Sequence, residues 1–117
     1  MLLAFSVATS GQPAHPAGDS AVPASGASAD ASVHDAVAAA VKIVRDSGLP
    51  NHTDSMFTTI EGEWDEVFAV VKQATEAVGR FGSRVSLVIK ADIRPGYSGE
   101  LTGKVERLEN AITNVPG

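Results

Sequence analysis

The chain has 117 residues, no cysteine and a formal net charge of −5, from 9 basic and 14 acidic residues. This length accommodates one domain with a single core. The acidic balance argues against nucleic acid as the main partner, because phosphate binding needs a clustered basic face. The absence of cysteine excludes disulfides, thiolate metal sites and sulfur nucleophiles.

The first segment predicts a strand. Leu3, Phe5 and Val7 alternate with smaller residues, which is the period-two pattern of a strand with one core face. The same run fits a signal peptide poorly, because no Lys or Arg precedes it and it is short. No stretch approaches the about 20 apolar residues of a membrane span. We therefore expect a soluble, cytoplasmic protein.

Residues 10–30 consist mainly of Ala, Ser, Gly and Pro, and three of the prolines are spaced so that no helix can form. Such a sequence buries too little surface to offset the entropy of ordering it, so we predict a mobile surface loop. We assign residues 1–117 to a single domain that contains this low-complexity loop.

A first helix is predicted after the loop. Ser32 and Asp35 resemble a capping box, apolar residues follow at helical spacing up to Val44, and Gly48 with Pro50 ends the helix. Two short extended pieces follow, about 49–54 and 57–61. Asp54 begins the turn between them, so a hairpin is the simplest interpretation.

The rest of the chain predicts a helix, a strand and a terminal helix. The helix that Gly62 opens has an apolar stripe that starts at Trp64 and ends at Val78, so Trp64 is expected in the core. Residues 84–93 alternate as a strand. After the breaker at residues 94–96, a short helix is marked by the apolar residues Leu101, Val105, Leu108 and Ile112.

These elements define an α+β fold of β-α-β-β-α-β order with a short C-terminal helix. Two helices then cover one face of a four-stranded antiparallel sheet, and the other face is left for water, a ligand or another subunit. Alternation assigns Leu3, Phe5, Val7, Met56, Thr58, Ile60, Val85, Leu87 and Ile89 to the helix side. The open face then collects Ser6, Phe57, Thr59, Glu61, Ser86, Val88, Lys90 and Asp92.

The open face mixes hydroxyls, carboxylates, an ammonium and an aromatic ring, which suits a small heteroaromatic ligand that both donates and accepts hydrogen bonds. A solvated sheet face has the same alternation, so the pattern alone leaves both interpretations open.

Catalytic and metal-binding interpretations have less support. His15, His34 and His52 lie outside any recognisable nucleophile motif. His52 with Asp54 is a chance pairing for a metal rather than a ligand set, so no metal is expected. The glycines of residues 94–99 lack the spacing and the lysine of a phosphate-binding loop.

Two long runs resemble the thiamine-binding protein family of small ferredoxin-like proteins. The first is Gly48–Val67, which includes Met56, Thr58 and Glu61 in the order Met-x-Thr-x-x-Glu, and the second is Arg84–Gly96. The ending Leu101–Glu106 is similar too. The resemblance covers nearly the whole chain except residues 10–30, a loop that is usually short in the family.

The resemblance implies a ferredoxin-like βαββαβ fold and a cytoplasmic protein that binds thiamine or its hydroxymethylpyrimidine part without a reaction. It also implies homodimers or homotetramers that form through sheet faces or edges. No cofactor is expected beyond the bound ligand. The expected ligand-binding residues are Ser6, Asp54, Phe57, Thr58, Thr59, Glu61, Lys90 and Asp92.

In this interpretation Glu61 accepts the exocyclic amine of the pyrimidine, and Ser6, Thr58 or Thr59 donate to its ring. Lys90 is expected to pair with Glu61 or Asp92. Two alternatives stay open: an assembly module whose open sheet face only pairs with other subunits, and a small ferredoxin-like enzyme.

Overall fold

The computed structural model describes residues 1–12 and 29–116. Its elements in chain order are β1 (Leu2–Ser10), α1 (Ala29–Asp46), β2 (Asn51–Thr53), β3 (Thr58–Glu61), α2 (Trp64–Val78), β4 (Arg84–Asp92) and α3 (Glu100–Thr113). The strands form one antiparallel sheet in the order β2-β3-β1-β4. The predicted βαββαβ α+β fold with a C-terminal helix is therefore confirmed. Most of the predicted loop, residues 13–28, lies outside the described residues.

The core lies between the sheet and the helices α1 and α2. Leu3 and Ile60 are opposite each other on β1 and β3, and both are fully buried. Val44 of α1 and Val67 and Val78 of α2 are likewise fully buried against them. The helical spacing of these valines produces two apolar stripes, and burying both on one sheet face leaves the other face open.

Strand β1 extends farther than its neighbour β3. All nine residues of β1 pair with β4, from Leu2 opposite Asp92 to Ser10 opposite Arg84. On its other side β1 pairs with β3 only as far as Phe5, which lies opposite Thr58. The half of β1 beyond Phe5 therefore borders a gap where β3 has not yet begun, and this gap positions the candidate site.

Some predicted boundaries and sides were wrong. Helix α1 begins at Ala29, so Ser32 lies within its first turn rather than at the cap. Strand β3 begins at Thr58, and Met56 precedes it with 71% of its surface exposed, so Met56 lies outside the strand and is not buried against the helices. Trp64 is the first residue of α2 and is 55% exposed, because the first turn extends past the core; its ring contacts Phe68, with centroids 4.7 Å apart.

Strand β4 is far more exposed than its alternation predicted. Leu87 and Ile89 were assigned to the helix side but are exposed, as is Val88 on the other face. The reason is that β4 is an edge strand, and α1 and α2 pack over the centre of the sheet rather than over its outer end.

Candidate ligand-binding site

A cavity of about 180 Å³ lies beside β1 at the point where β3 begins. Three structures enclose it: β1, the helix α1 and the turn of the β2–β3 hairpin. The described residues that line it are Phe5, Ser6, Val7, Val37, Ala40, Val41, Thr53, Asp54, Ser55, Met56, Phe57 and Thr58. We call it the hairpin cavity.

Asp54 organises the hairpin turn that forms one wall of the hairpin cavity. Its Oδ1 atom accepts the backbone N–H groups of Met56 at 2.8 Å and Phe57 at 2.9 Å, and its own N–H donates to the carbonyl of Phe57. The hydrogen bonds from Phe57 and Met56 lower the pKa of Asp54, because they stabilise its charged form. The predicted turn at Asp54 is confirmed.

The backbone of Val7 faces the gap beside β3. The N–H of Gly62 donates to the carbonyl of Met1 at 3.1 Å, which continues the β1–β3 ladder. Since hydrogen-bonding groups alternate between the two sides of a strand, Phe5 and Val7 direct their N–H and C=O groups to the same side as Met1. Phe5 meets Thr58 there, but β3 does not reach Val7. Val7 therefore offers a donor and an acceptor side by side at the hairpin cavity.

Hydroxyl groups lie next to this backbone. Thr58 is 6% exposed, and its Oγ1 atom is 3.1 Å from Oγ1 of Thr53 on the neighbouring strand. Ser6 also lines the cavity. Apart from Asp54 and Ser55 of the turn, the rest of the lining is apolar, with Phe5 almost completely buried and Phe57 half-buried. The arrangement can hold a small ring between apolar walls and fix its orientation with a few hydrogen bonds.

The predicted ligand-binding residues divide between two places. The hairpin cavity brings together Ser6, Asp54, Phe57 and Thr58. The other four predicted residues, Thr59, Glu61, Lys90 and Asp92, do not line it. Thr59 instead lines a groove of about 660 Å³ between α3 and the open face of the sheet. This second space, which we call the α3 groove, is also lined by Leu2, His52, Leu101 and Val105.

Glu61 and Asp92 hold α3 against the sheet. The carboxylate of Glu61 accepts the N–H groups of Glu100 at 2.8 Å and Leu101 at 3.2 Å, at the positive end of the helix dipole. The Lys104 ammonium forms an ion pair with Asp92 at 2.7 Å and thereby lowers the pKa of Asp92. Among the described residues Lys90 forms no ion pair with either carboxylate, so the expected pairing of Lys90 with Glu61 or Asp92 was wrong.

Sequence reasoning missed two parts of the hairpin cavity. The first is the α1 wall, Val37, Ala40 and Val41, which was read only as a core stripe. The second is the backbone of Val7. The exposed backbone of Val7 could have been inferred only from β1 being longer than β3. The ends of strands, and hence their lengths, are the feature that sequence patterns predict least accurately.

Among the described residues no group of three or more His, Asp or Glu side chains is placed to hold a metal ion. No described helix is long and apolar enough to cross a membrane. His15, considered for catalysis, lies outside the described residues, whereas His52 is exposed on β2 and lines the α3 groove.

Comparison with known proteins adds independent evidence. Residues 20–109 match the family model of thiamine-binding proteins. A UPF0045 protein of Mycobacterium bovis is 55% identical over 81 residues, which are 68% of this chain and 79% of that protein. A UPF0045 protein of Synechocystis is 36% identical over 84 residues, 71% of this chain and 69% of that protein.

Solved structures share the fold. A domain of unknown function from Bacillus cereus superposes with a TM-score of 0.67 at 28% identity, over 91% of this chain and 86% of that one. A Thermotoga maritima protein, proposed to act in thiamine biosynthesis or salvage, has a TM-score of 0.63 at 21% identity, over 92% and 96% of the two chains. By its match to the family model and to these relatives, the chain belongs to the thiamine-binding protein family.

Proposed function

We propose that the hairpin cavity binds the hydroxymethylpyrimidine part of thiamine, free or within thiamine, and that the protein holds this ligand in the cytoplasm without transforming it. The observation that carries the proposal is the pair of backbone groups on Val7, which faces a ring-sized cavity beside the hydroxyl of Thr58.

The size of the cavity fits one ring. An apolar cavity of about 150 Å³ is known to accept benzene. The hairpin cavity, at about 180 Å³, has room for a six-membered ring with small substituents but not for a second ring. The thiazolium ring of thiamine would then lie at the opening of the cavity, in contact with solvent.

The polar groups also fit an aminopyrimidine. One edge of that ring presents an amine donor next to a ring-nitrogen acceptor. The carbonyl of Val7 would accept from the amine, and its N–H would donate to the ring nitrogen, as one strand does to the next in a sheet. Thr58 supplies a further hydroxyl. Phe5 and Phe57 provide aromatic surface for the ring faces.

Charge favours the same ligand. Asp54 is exposed at the hairpin turn, and its lowered pKa keeps it ionised at neutral pH. A carboxylate at the rim attracts a cation such as thiazolium, and the whole chain is acidic as well. Apart from Asp54, the polar groups of the described lining are neutral hydroxyls and backbone groups, which position a ring by hydrogen bonds.

The experiment compares two neighbouring threonines by calorimetry with thiamine and hydroxymethylpyrimidine. Thr58→Val removes a hydroxyl from the hairpin cavity, whereas Thr59→Val makes the same change on the opposite face of β3. We expect Thr58→Val to weaken binding about fivefold, because one neutral hydrogen bond contributes about 1 kcal/mol. Thr59→Val should bind like the wild type. Absence of binding by the wild type, or equal affinities for the two variants, would overturn the proposal.

A second candidate function is self-association into a homodimer or homotetramer through the edge of the sheet. Strand β4 has nine residues, both its faces are exposed, and no described strand covers its outer edge. An antiparallel pairing of two β4 strands centred on Val88 would place Arg84 of each copy opposite Asp92 of the other. Long uncovered edges pair readily with another strand, and opposite charges favour this register.

The two candidates are separable by experiment. Leu87→Pro, next to the centre of the proposed pairing, should halve the mass in solution measured by light scattering, and it should leave ligand affinity unchanged. Leu87 is suitable because its N–H points away from β1, so a proline there keeps the β1–β4 hydrogen bonds. Val115→Pro, beyond the end of α3, serves as a control that should retain the wild-type mass. An unchanged mass for Leu87→Pro would reject pairing through β4.

A further inference from the structure

Charge is divided unequally along the chain. Residues 1–71 contain nine acidic residues and two basic ones, Lys42 and Arg45, whereas residues 72–117 contain five acidic and seven basic residues. The first part therefore carries a formal charge of −7 and the second a charge of +2. Every described residue that lines the hairpin cavity belongs to the first part. A ligand that enters the cavity therefore meets the negative potential of the acidic part of the chain.

Asp54 concentrates this charge at the opening of the hairpin cavity. Among the described lining residues it is the one that carries a charge. Its Oδ1 atom accepts the N–H groups of Met56 and Phe57, which keeps the carboxylate ionised and fixed at the turn. Its Oδ2 atom accepts no hydrogen bond from a described residue, so this oxygen is free to meet a group that lies at the opening.

The basic residue nearest to the cavity wall in the sequence is already paired. Lys42 follows Val41 of the wall, but its ammonium forms an ion pair with Asp46 at 2.8 Å, one turn farther along α1. Residues 13–28, which lie outside the described residues, contain no Lys or Arg that could take its place. A phosphate at the opening would therefore meet a carboxylate, without the Arg or Lys side chains that proteins use to bind phosphate.

The ligands that share the pyrimidine ring differ at one methylene group. It carries a thiazolium cation in thiamine, a neutral hydroxyl in hydroxymethylpyrimidine, and a phosphate of about two negative charges in the phosphate ester of hydroxymethylpyrimidine. With the ring inside the cavity of about 180 Å³, this group lies at the opening beside Asp54. The carboxylate attracts the cation, tolerates the hydroxyl and repels the phosphate. In thiamine monophosphate the phosphate lies beyond the thiazolium ring, so water and salt screen it more.

We propose that the hairpin cavity is specific for the unphosphorylated forms of its ligand, thiamine and hydroxymethylpyrimidine, and that the Asp54 carboxylate excludes their phosphate esters. This selectivity rests on the proposed function, because it requires the pyrimidine ring to occupy the hairpin cavity. A protein with this selectivity holds the free vitamin or its precursor rather than the phosphorylated cofactor.

The first test compares each ligand with its phosphate ester by calorimetry on the wild type. We expect hydroxymethylpyrimidine phosphate to bind at least about tenfold more weakly than hydroxymethylpyrimidine, and a smaller difference between thiamine and thiamine monophosphate. The difference should shrink as NaCl is raised from about 50 mM to about 500 mM, because salt screens an exposed carboxylate. Exclusion by shape alone would not respond to salt, so a salt-independent difference would overturn the role of Asp54.

The outcomes separate this selectivity from the proposed function. If thiamine and hydroxymethylpyrimidine bind but their phosphate esters bind equally or more tightly, the selectivity is overturned and the proposed function stands. If none of the four compounds binds, both are overturned.

The second test uses matched substitutions and the ratio of the two hydroxymethylpyrimidine affinities. Asp54→Asn keeps an oxygen acceptor for the turn but removes the charge, and should reduce the ratio to less than about threefold. Asp65→Asn removes the same charge from the exposed start of α2, away from the cavity lining, and should keep the wild-type ratio. Ser55→Lys adds an ammonium at the turn and should bind the phosphate ester more tightly than the wild type does. Equal ratios for the two asparagine variants, with folding checked by circular dichroism, would overturn the proposal.

Discussion

The carboxylate of Glu61 accepts the backbone N–H of Glu100 at 2.8 Å, across 39 residues of sequence, and so attaches α3 to the end of β3. Glu61 is only 8% exposed, and its carboxylate accepts the N–H of Leu101 as well. The carboxylate of Glu61 therefore caps the start of α3. The sequence did not predict this contact and assigned Glu61 to ligand binding instead.

Glu61→Ala should release α3 from the sheet. The substitution leaves two backbone donors at the helix start without their acceptor, and a charge-assisted hydrogen bond of this kind contributes about 1.5–3 kcal/mol. We expect faster amide hydrogen exchange throughout residues 100–113, measured by mass spectrometry. Glu76→Ala, which removes an exposed carboxylate from α2, is the control and should leave α3 protected.

The same variant distinguishes two roles for Glu61. If the pyrimidine occupies the hairpin cavity, Glu61→Ala keeps its affinity for hydroxymethylpyrimidine, because Glu61 does not line that cavity. Loss of binding by a variant that is still folded would instead support the ligand contact predicted from sequence. Unchanged exchange in α3 would contradict the attachment.

Ala40→Leu should close the hairpin cavity. Ala40 is 2% exposed on α1 and lines the cavity, so three added carbon atoms would occupy the space proposed for the ring. We expect at least a tenfold loss of affinity by calorimetry and no loss of thermal stability, since filling a cavity removes unoccupied volume. Ala38→Leu adds the same atoms on the exposed side of α1 and should bind normally. Equal binding by the two variants would place the ligand elsewhere.

The order of the elements was predictable because its signals are local. The valines of α1 and α2 recur at helical spacing, and Leu3 and Phe5 alternate at strand spacing, so element types and the core face follow from periodicity. The turn at Asp54 was predictable for the same reason, since an aspartate that accepts amides two and three residues later acts within its own segment.

The site was predictable only in part, because it depends on how segments that are far apart in the sequence are aligned in the fold. Alternation placed Thr58 and Thr59 on opposite faces of β3, and the structure agrees, with Thr58 at the hairpin cavity and Thr59 at the α3 groove. No local pattern reveals that β3 begins too late in the chain to pair with Val7, or that the Glu61 carboxylate accepts the N–H of Glu100. Trp64 was wrongly predicted to be in the core. Helical spacing shows which face of α2 a residue lies on, but it does not show that the first turn of α2 extends past the core.

Acid should loosen the hairpin turn at Asp54. The pKa of this carboxyl is lowered in the folded protein, so its stabilising effect is present above the ordinary pKa of an aspartate and is lost as the pH falls through the lowered pKa. We expect the amides of Met56 and Phe57 to lose protection from hydrogen exchange, measured by NMR, below about pH 4. Asp54→Asn keeps an oxygen acceptor but no charge, so its turn should lack this pH dependence. A titration of Asp54 at or above the ordinary value would contradict the interpretation.

Two glycine-to-alanine substitutions should change stability in opposite directions, because their surroundings differ. A Cβ atom at the buried Gly82 would lie 2.6 Å from the carbonyl oxygen of Ser10 and even closer to Oγ1 of Thr9, so the backbone must shift. We expect Gly82→Ala to lower the free energy of unfolding by about 1–3 kcal/mol. Gly103 lies inside α3, where the nearest atom to an added Cβ is Nη1 of Arg107 at 3.6 Å.

Gly103→Ala should therefore raise the free energy of unfolding of α3 by about 0.5–1 kcal/mol, since alanine loses less backbone entropy in a helix. Urea denaturation measures the effect of Gly82→Ala on the whole domain, and circular dichroism with hydrogen exchange measures the effect of Gly103→Ala on α3. A stabilising Gly82→Ala would mean that the end of β1 moves away from residue 82 at no cost.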